Sequence, residues 1–260
     1  TRGPERPHGD NVMKFGLFGG AVAKRGENTA DSQGYDDFIN LVLEAEDLGY
    51  NSIFLVEHHF TGGGQVSASL NLLTYIAAKT SRIRLGTAVT VLPWHNPVLI
   101  AEQTATLDLL SGGRLDFGVG KGYRDIEYKG FCIPRDEALE RYQESVEVIK
   151  KSWNSEERFD HNGKYWQFDD IMVEPYTIQK PHPPLWTAAG TDESIARVAE
   201  SGMNVLFDHF ASFERTEERI NVWREACAAT GRDFDPMQIG LARGLTITLS
   251  EKDLEAALHQ

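Results

Sequence analysis

The chain has 260 residues, 41% hydrophobic and 25% charged, enough apolar side chain for one sizeable core. A formal net charge of −13 repels nucleic acid and anionic lipid, so neither is an expected partner. The two cysteines, Cys132 and Cys227, have no metal-ligand spacing and suit free thiols in a reducing compartment, although a single pair leaves a disulfide open. No apolar run reaches the length of about 20 residues that spans a bilayer. Residues 1–12 are polar, carry Pro4 and Pro7, and show no signal-peptide pattern. The expectation is a cytoplasmic protein with an extension at 1–12, a native start near Met13, and one domain over 13–260.

The first strand is expected at 15–18, followed by a helix with Phe38, Val42, Ala45 and Leu48 at helical spacing and Gly49 as its stop. A second strand at 53–56 leads to a helix at 69–79. The β-branched run 83–92 reads as a long third strand, and Pro97 opens a helix that ends at Gly112 and Gly113. A fourth strand at 115–119 precedes a long loop and a helix from about 136 to 153. Asn162 and Gly163 then read as the two-residue turn of a β-hairpin, flanked by Phe159, Tyr165, Trp166 and Phe168. Strands at 185–189 and 204–207 alternate with helices at 193–200 and 216–230; a seventh strand lies within 239–249, and a seventh helix starts at Glu251. Strands alternating with helices imply parallel strands and right-handed crossovers. The expected fold is a (β/α)8 TIM-type barrel that stops after strand seven, one βα unit short, with the hairpin as an excursion between the fourth helix and the fifth strand.

Barrels of this kind carry their sites at the carboxyl ends of the strands. There the chain places Glu57, His58, His59 and Phe60 after strand two, and Trp94 and His95 after strand three. Gly120, Lys121 and Tyr123 follow strand four, Ala189, Gly190 and Thr191 follow strand five, and Asp208 and His209 follow strand six. An imidazole serves as general base or hydrogen-bond partner near neutral pH, so His58 and His59 are catalytic candidates with Glu57 beside them; a structural histidine pair at a rim is the competing reading. No HExxH or CxxC spacing supports a metal site. The glycines at 118, 120 and 122 are no dinucleotide fingerprint, because Tyr123 stands where the last glycine would; they allow backbone to approach a flat ring, with Lys121 within reach of an anion. Thr191 and Ser194 open a helix, where they can serve either an anion or the helix cap. Phe60, Trp94, His95 and Tyr123 suggest an apolar, aromatic substrate pocket.

Several stretches in order, MKFGLF, LVEHHF, LGTAVTVLP with HNP, LDLLSGGRLDFGVGKG and KPHPPLW, resemble the bacterial luciferase-like family of flavin-dependent monooxygenases. The resemblance runs from Met13 to about Ser250. It implies a (β/α) barrel that binds reduced flavin mononucleotide (FMN), supplied by a separate flavin reductase. Dioxygen then forms a flavin hydroperoxide that oxygenates a small hydrophobic substrate. By position it implies that His58 is the active-site histidine with Glu57 and His59 as neighbours, and that Ala88-Val89 is a non-prolyl cis peptide beneath the flavin. Lys121, Thr191 and Ser194 fall at the flavin phosphate, Gly120 replaces a reactive cysteine, and Gly190 replaces a phosphate-side glutamate. The resemblance also implies a homodimer through the second and third helices, with Leu70, Leu73, Ile76 and Ala77 on one and Leu99, Ala101 and Leu107 on the other. The alternatives are a deazaflavin-dependent oxidoreductase of the same superfamily and a non-catalytic flavin-binding protein.

Overall fold

The computed structural model describes residues 13–23, 32–248 and 250; the expected extension at 1–12 and the helix from Glu251 lie outside the described residues. In chain order the elements are β1 (Gly16–Gly19), α1 (Gln33–Asp47), β2 (Ser52–Leu55), α2 (Ser69–Lys79), β3 (Arg84–Thr87), β4 (Thr90–Val91) and α3 (Pro97–Ser111). They continue as β5 (Leu115–Gly120), α4 (Asp125–Gly130), α5 (Ala138–Asn154), β6 (Phe159–Asn162), β7 (Gln167–Ile171), β8 (Leu185–Ala188), α6 (Asp192–Glu200), β9 (Asn204–Phe207), α7 (Phe213–Ala229) and β10 (Ile239–Leu241). The principal sheet is parallel, in the order β1-β2-β3-β5-β8-β9-β10, with β4 paired to β5. It is the curled sheet of a TIM-type barrel with seven strand positions among the described residues, β3 and β4 sharing one, and β1 and β10 form its two ends.

Alternation along these strands separates core from mouth. Leu85, Phe117, Val119, Leu185, Val205 and Phe207 are buried in one apolar cluster with side chains of the surrounding helices. Trp153 of α5 meets Phe117 edge-on, with centroids 5.9 Å apart, and donates from Nε1 to Ala101 O at 3.0 Å. Residues between those positions face the other way and include Ala88, Gly118, Gly120 and Ala188, which have little or no side chain. Under the sheet, Arg84 donates to both oxygens of Asp116 at 2.6 and 3.0 Å, and Trp186 Nε1 donates to the same carboxylate at 3.2 Å. The helix termini follow the sequence: Asn96 accepts from Val98 N and Leu99 N, Pro97 opens α3, and Gly112 closes it at φ +68°.

Three local features differ from the expectation. The third strand is divided into β3 and β4 by a cis Ala88-Val89 peptide. The stretch expected as a long loop after β5 contains α4, whose Asp125, Glu127 and Lys129 are placed favourably for the helix dipole but whose six residues are too few to display a period. The hairpin turn is a four-residue loop at 163–166, because Asn162 already pairs with Gln167. Glu144 of α5 sets that longer loop by accepting from Tyr165 N and Trp166 N at 3.0 and 2.7 Å.

Of the helix residues expected at a dimer contact, Leu70, Leu73, Ile76, Ala77, Ala101 and Leu107 are buried in the monomer's own core, while Leu99 is exposed. Tyr75 on α2 and Leu109 and Leu110 on α3 are also exposed. No helix among the described residues is long and apolar enough to cross a membrane.

Glu144→Ala should release the hairpin loop without unfolding the barrel. Loss of the carboxylate's amide bonds, worth about 2 kcal/mol of local opening, predicts roughly 30-fold faster tryptic cleavage after Lys164. Unchanged cleavage would show that the loop is held by other contacts.

Candidate active site at the barrel mouth

The segment after β2 continues in extended form. Val56 N donates to Gly19 O at 2.9 Å, and His58 N donates to Val66 O at 2.9 Å. These bonds carry Glu57, His58 and His59 past the sheet to the mouth. His58 takes its side-chain partner from α4: Nδ1 lies 3.0 Å from Glu127 Oε1, and His59 N donates to the same oxygen at 3.0 Å. Glu127 is 1% exposed. Because Glu127 Oε1 already accepts the amide, the consistent tautomer places the imidazole hydrogen on Nδ1 and leaves Nε2 for a ligand. Tyr123 stands perpendicular to the His58 ring, with centroids 6.1 Å apart.

Glu57 does not touch His58 but organises a second cluster. Its Oε1 accepts from Trp94 Nε1 at 3.1 Å and faces His59 Nε2 at 3.1 Å and His95 Nε2 at 2.9 Å. Burial pushes the Glu57 carboxyl up, but hydrogen bonds from His59, His95 and Trp94, together with His95 charge, outweigh it and hold the group below the ordinary carboxylate range. The rings pack around this anion: Trp94 stacks on Phe131 at 5.1 Å and 17°, and His59 meets Phe131 edge-on at 4.7 Å. Phe60, at φ +58° and half exposed, joins the cluster through Phe131 at 5.0 Å. Its ring lies so close to Gly130 that a Cβ there would come within 2.2 Å of it. Trp94 and His95 are therefore engaged with Glu57, whereas Phe60 and Tyr123 keep exposed faces.

The other side of the mouth is built from β5 and β8. The register pairs Val119 with Thr187, and Lys121 and Ala189 follow the ends of these two strands. Lys121 is exposed, and its backbone oxygen accepts from Tyr128 OH. Thr191 and Ser194 form a capping box on α6: Ser194 N donates to Thr191 Oγ1 at 3.2 Å, and Thr191 N donates to Ser194 Oγ at 3.1 Å. Gly190 N also donates to Ser194 Oγ, at 3.2 Å. Ala88 and Val89 form the cis peptide, and a side chain at Gly120 would come within 2.5 Å of Val89. Among the described residues, no group of three or more His, Cys, Asp or Glu side chains is arranged to hold a metal ion.

Sequence reading missed Glu127. The only signal was an acidic residue five positions after Gly122, in a segment expected as loop.

The sequence profile of the luciferase-like monooxygenases matches residues 13–260. The chain belongs to this family. A flavin-dependent trigonelline monooxygenase oxygenase component from Acinetobacter baylyi is 30% identical over 252 residues, covering 95% of this chain and 69% of the relative. Across the first curated relatives of the family the chain spans 55 to 69% of their length. The crystal structure of monooxygenase RslO1 from Streptomyces bottropensis superposes with a TM-score of 0.86 at 27% identity, over 94% of this chain and 75% of that one. The oxygenating constituent of 3,6-diketocamphane monooxygenase from Pseudomonas putida, in complex with FMN, gives 0.79 at 20% identity, over 94% and 70%, and shows the shared family fold.

The Glu57 cluster generates a stability prediction. Glu57→Ala strands buried N–H groups and should cost about 2–4 kcal/mol in urea unfolding near pH 7. Because the folded carboxyl titrates below its unfolded value, its contribution is present above the ordinary pKa of about 4.3 and is lost as pH falls through the lower folded value. The difference between wild type and variant should therefore shrink on acidification below about pH 4. A difference that grows on acidification would contradict the assignment of Glu57 as a buried anion.

Proposed function

We propose that the mouth is the active site of a cytoplasmic, FMN-dependent monooxygenase that takes reduced flavin from a separate reductase and uses dioxygen to oxygenate a small hydrophobic substrate. The observation that carries this reading is the His58–Glu127 pair, which leaves one imidazole nitrogen without a partner among the described residues, beside strand ends of small residues. Membership of the luciferase-like monooxygenases supports the reaction class.

The residues present fit a flavin mononucleotide. Ala88, Val89, Gly120, Ala189 and Gly190 offer backbone and little side chain to a flat ring. Lys121, Thr191 and Ser194 offer a cation, hydroxyls and a helix N-terminus to a phosphate. Bound reduced FMN supplies the electrons with which dioxygen is activated. His58 Nε2 holds or delivers a proton at the reacting substrate, and Glu127 fixes the ring orientation through Nδ1. The Glu57, His59, Trp94 and His95 block forms a rigid wall, and the exposed rings of Phe60 and Tyr123 meet the substrate and exclude water. The working unit is a homodimer that covers Tyr75, Leu99 and Leu110.

Reconstitution with a flavin reductase and a panel of hydrophobic substrates, read by product and peroxide yields, tests the activity. Peroxide release without oxygenated product across the panel would argue against it. His58→Ala should lower product formation by about two to four orders of magnitude with flavin affinity little changed. Glu127→Gln should lower it by about tenfold, because the ring keeps a neutral partner but loses its charged one. Equal coupling in wild type and His58→Ala would reduce His58 to a rim residue. Lys121→Ala should weaken reduced FMN about tenfold, an effect moderated by solvent around this exposed cation. Unchanged affinity would remove Lys121 from the phosphate site.

A further inference from the structure

Arg219 lies on α7, apart from the residues assigned above, and is 9% exposed. Its guanidinium reaches back over the ends of two strands. Nε donates to Gly190 O at 3.0 Å, and Nη1 donates to Asp208 Oδ2 at 3.0 Å. Asp208 is itself fixed, since its Oδ1 accepts from Phe210 N at 2.9 Å. The remaining nitrogen, Nη2, has no partner among the described residues and lies 3.0 Å from the position that a Cβ on Gly190 would occupy. Glycine at 190 thus leaves Nη2 the room that a Cβ would crowd.

This nitrogen sits beside the helix start to which the flavin phosphate is assigned. The first amides of α6, at Asp192 and Glu193, have no acceptor within the helix. Their carboxylates, which would oppose an anion, are drawn into ion pairs, Asp192 with Arg215 at 2.7 Å and Glu193 with Arg197. A largely buried guanidinium with one anionic partner retains unused donors, and its planar fork matches the oxygens of a phosphate.

We propose that Arg219 is a phosphate-binding residue, oriented by Gly190 O and Asp208 so that its free N–H groups take the flavin phosphate opposite Lys121. This rests on the flavin reading of the mouth. Asp208 then acts as a brake, because it shares the guanidinium with the ligand.

Calorimetric titration of the whole protein under anaerobic conditions, with reduced FMN and with reduced riboflavin, isolates the phosphate. The ratio of the two affinities is the readout. Arg219→Gln should lower the ratio by about tenfold or more while riboflavin affinity stays within about twofold. Asp208→Asn should raise the ratio several-fold, because the competing anion is removed. A guanidinium that merely ties two strand ends together predicts the opposite pattern, with both variants weakening both flavins alike. Should Arg219→Gln fail to fold, Arg219→Lys keeps the charge without the fork and should give an intermediate ratio. An unchanged ratio in the Arg219 variant, or a lowered one in Asp208→Asn, overturns the proposal. If the wild type binds neither flavin, the flavin reading falls and takes this inference with it; if it prefers FMN and the Arg219 variant keeps that preference, Arg219 alone is excluded.

Discussion

Successive side chains of a strand point to opposite faces, and a parallel sheet wrapped by helices must make the helix-facing set apolar. In β5 this constraint assigns Leu115, Phe117 and Val119 to the core and leaves Asp116, Gly118 and Gly120 for the interior. Asp116 is consumed at the base by Arg84 and Trp186, so the glycines nearer the carboxyl end are what the mouth receives. The same alternation puts Leu185 in the core and Ala188 at the mouth of β8. A surface of small residues across neighbouring strand ends is thus a consequence of building the core correctly on the other face.

Two buried carboxylates then divide the chemistry of the mouth. Neither Glu57 nor Glu127 has a lysine or arginine within ion-pair distance among the described residues; their partners are imidazoles, an indole and a backbone amide. A buried carboxylate is tolerated only where donors replace the water it lost. Glu57 meets that requirement by gathering His59, Trp94 and His95 into one block, which rigidifies the wall. Glu127 meets it with the His58 ring and the His59 amide, which leaves His58 held at one nitrogen only. The two histidines are neighbours in sequence but differ in role, since one is spent on a buried anion and the other is oriented by one.

The start of α6 is built by different physics. Thr191 and Ser194 satisfy each other as a capping box, so their presence at a helix start is accounted for without any ligand. What distinguishes this helix start is Arg219, lodged against Gly190.

By itself the sequence determined the alternation of strands and helices, the caps at Asn96 and Gly112, and the concentration of His58, Lys121 and Thr191 at strand ends, because each follows from local periodicity, propensity or chain order. It also carried the family resemblance, through stretches such as LVEHHF and LDLLSGGRLDFGVGKG. The partners were decided only by tertiary structure. Glu127 lies 69 positions from His58 and on a helix too short to announce itself, and Glu57 reaches Trp94 and His95 rather than its neighbour His58. The hairpin turn likewise took its length from Glu144 on another element rather than from Asn162 and Gly163. Hydrogen-bond partners across the fold depend on which elements pack together, and a one-dimensional pattern of residue types does not encode those distances.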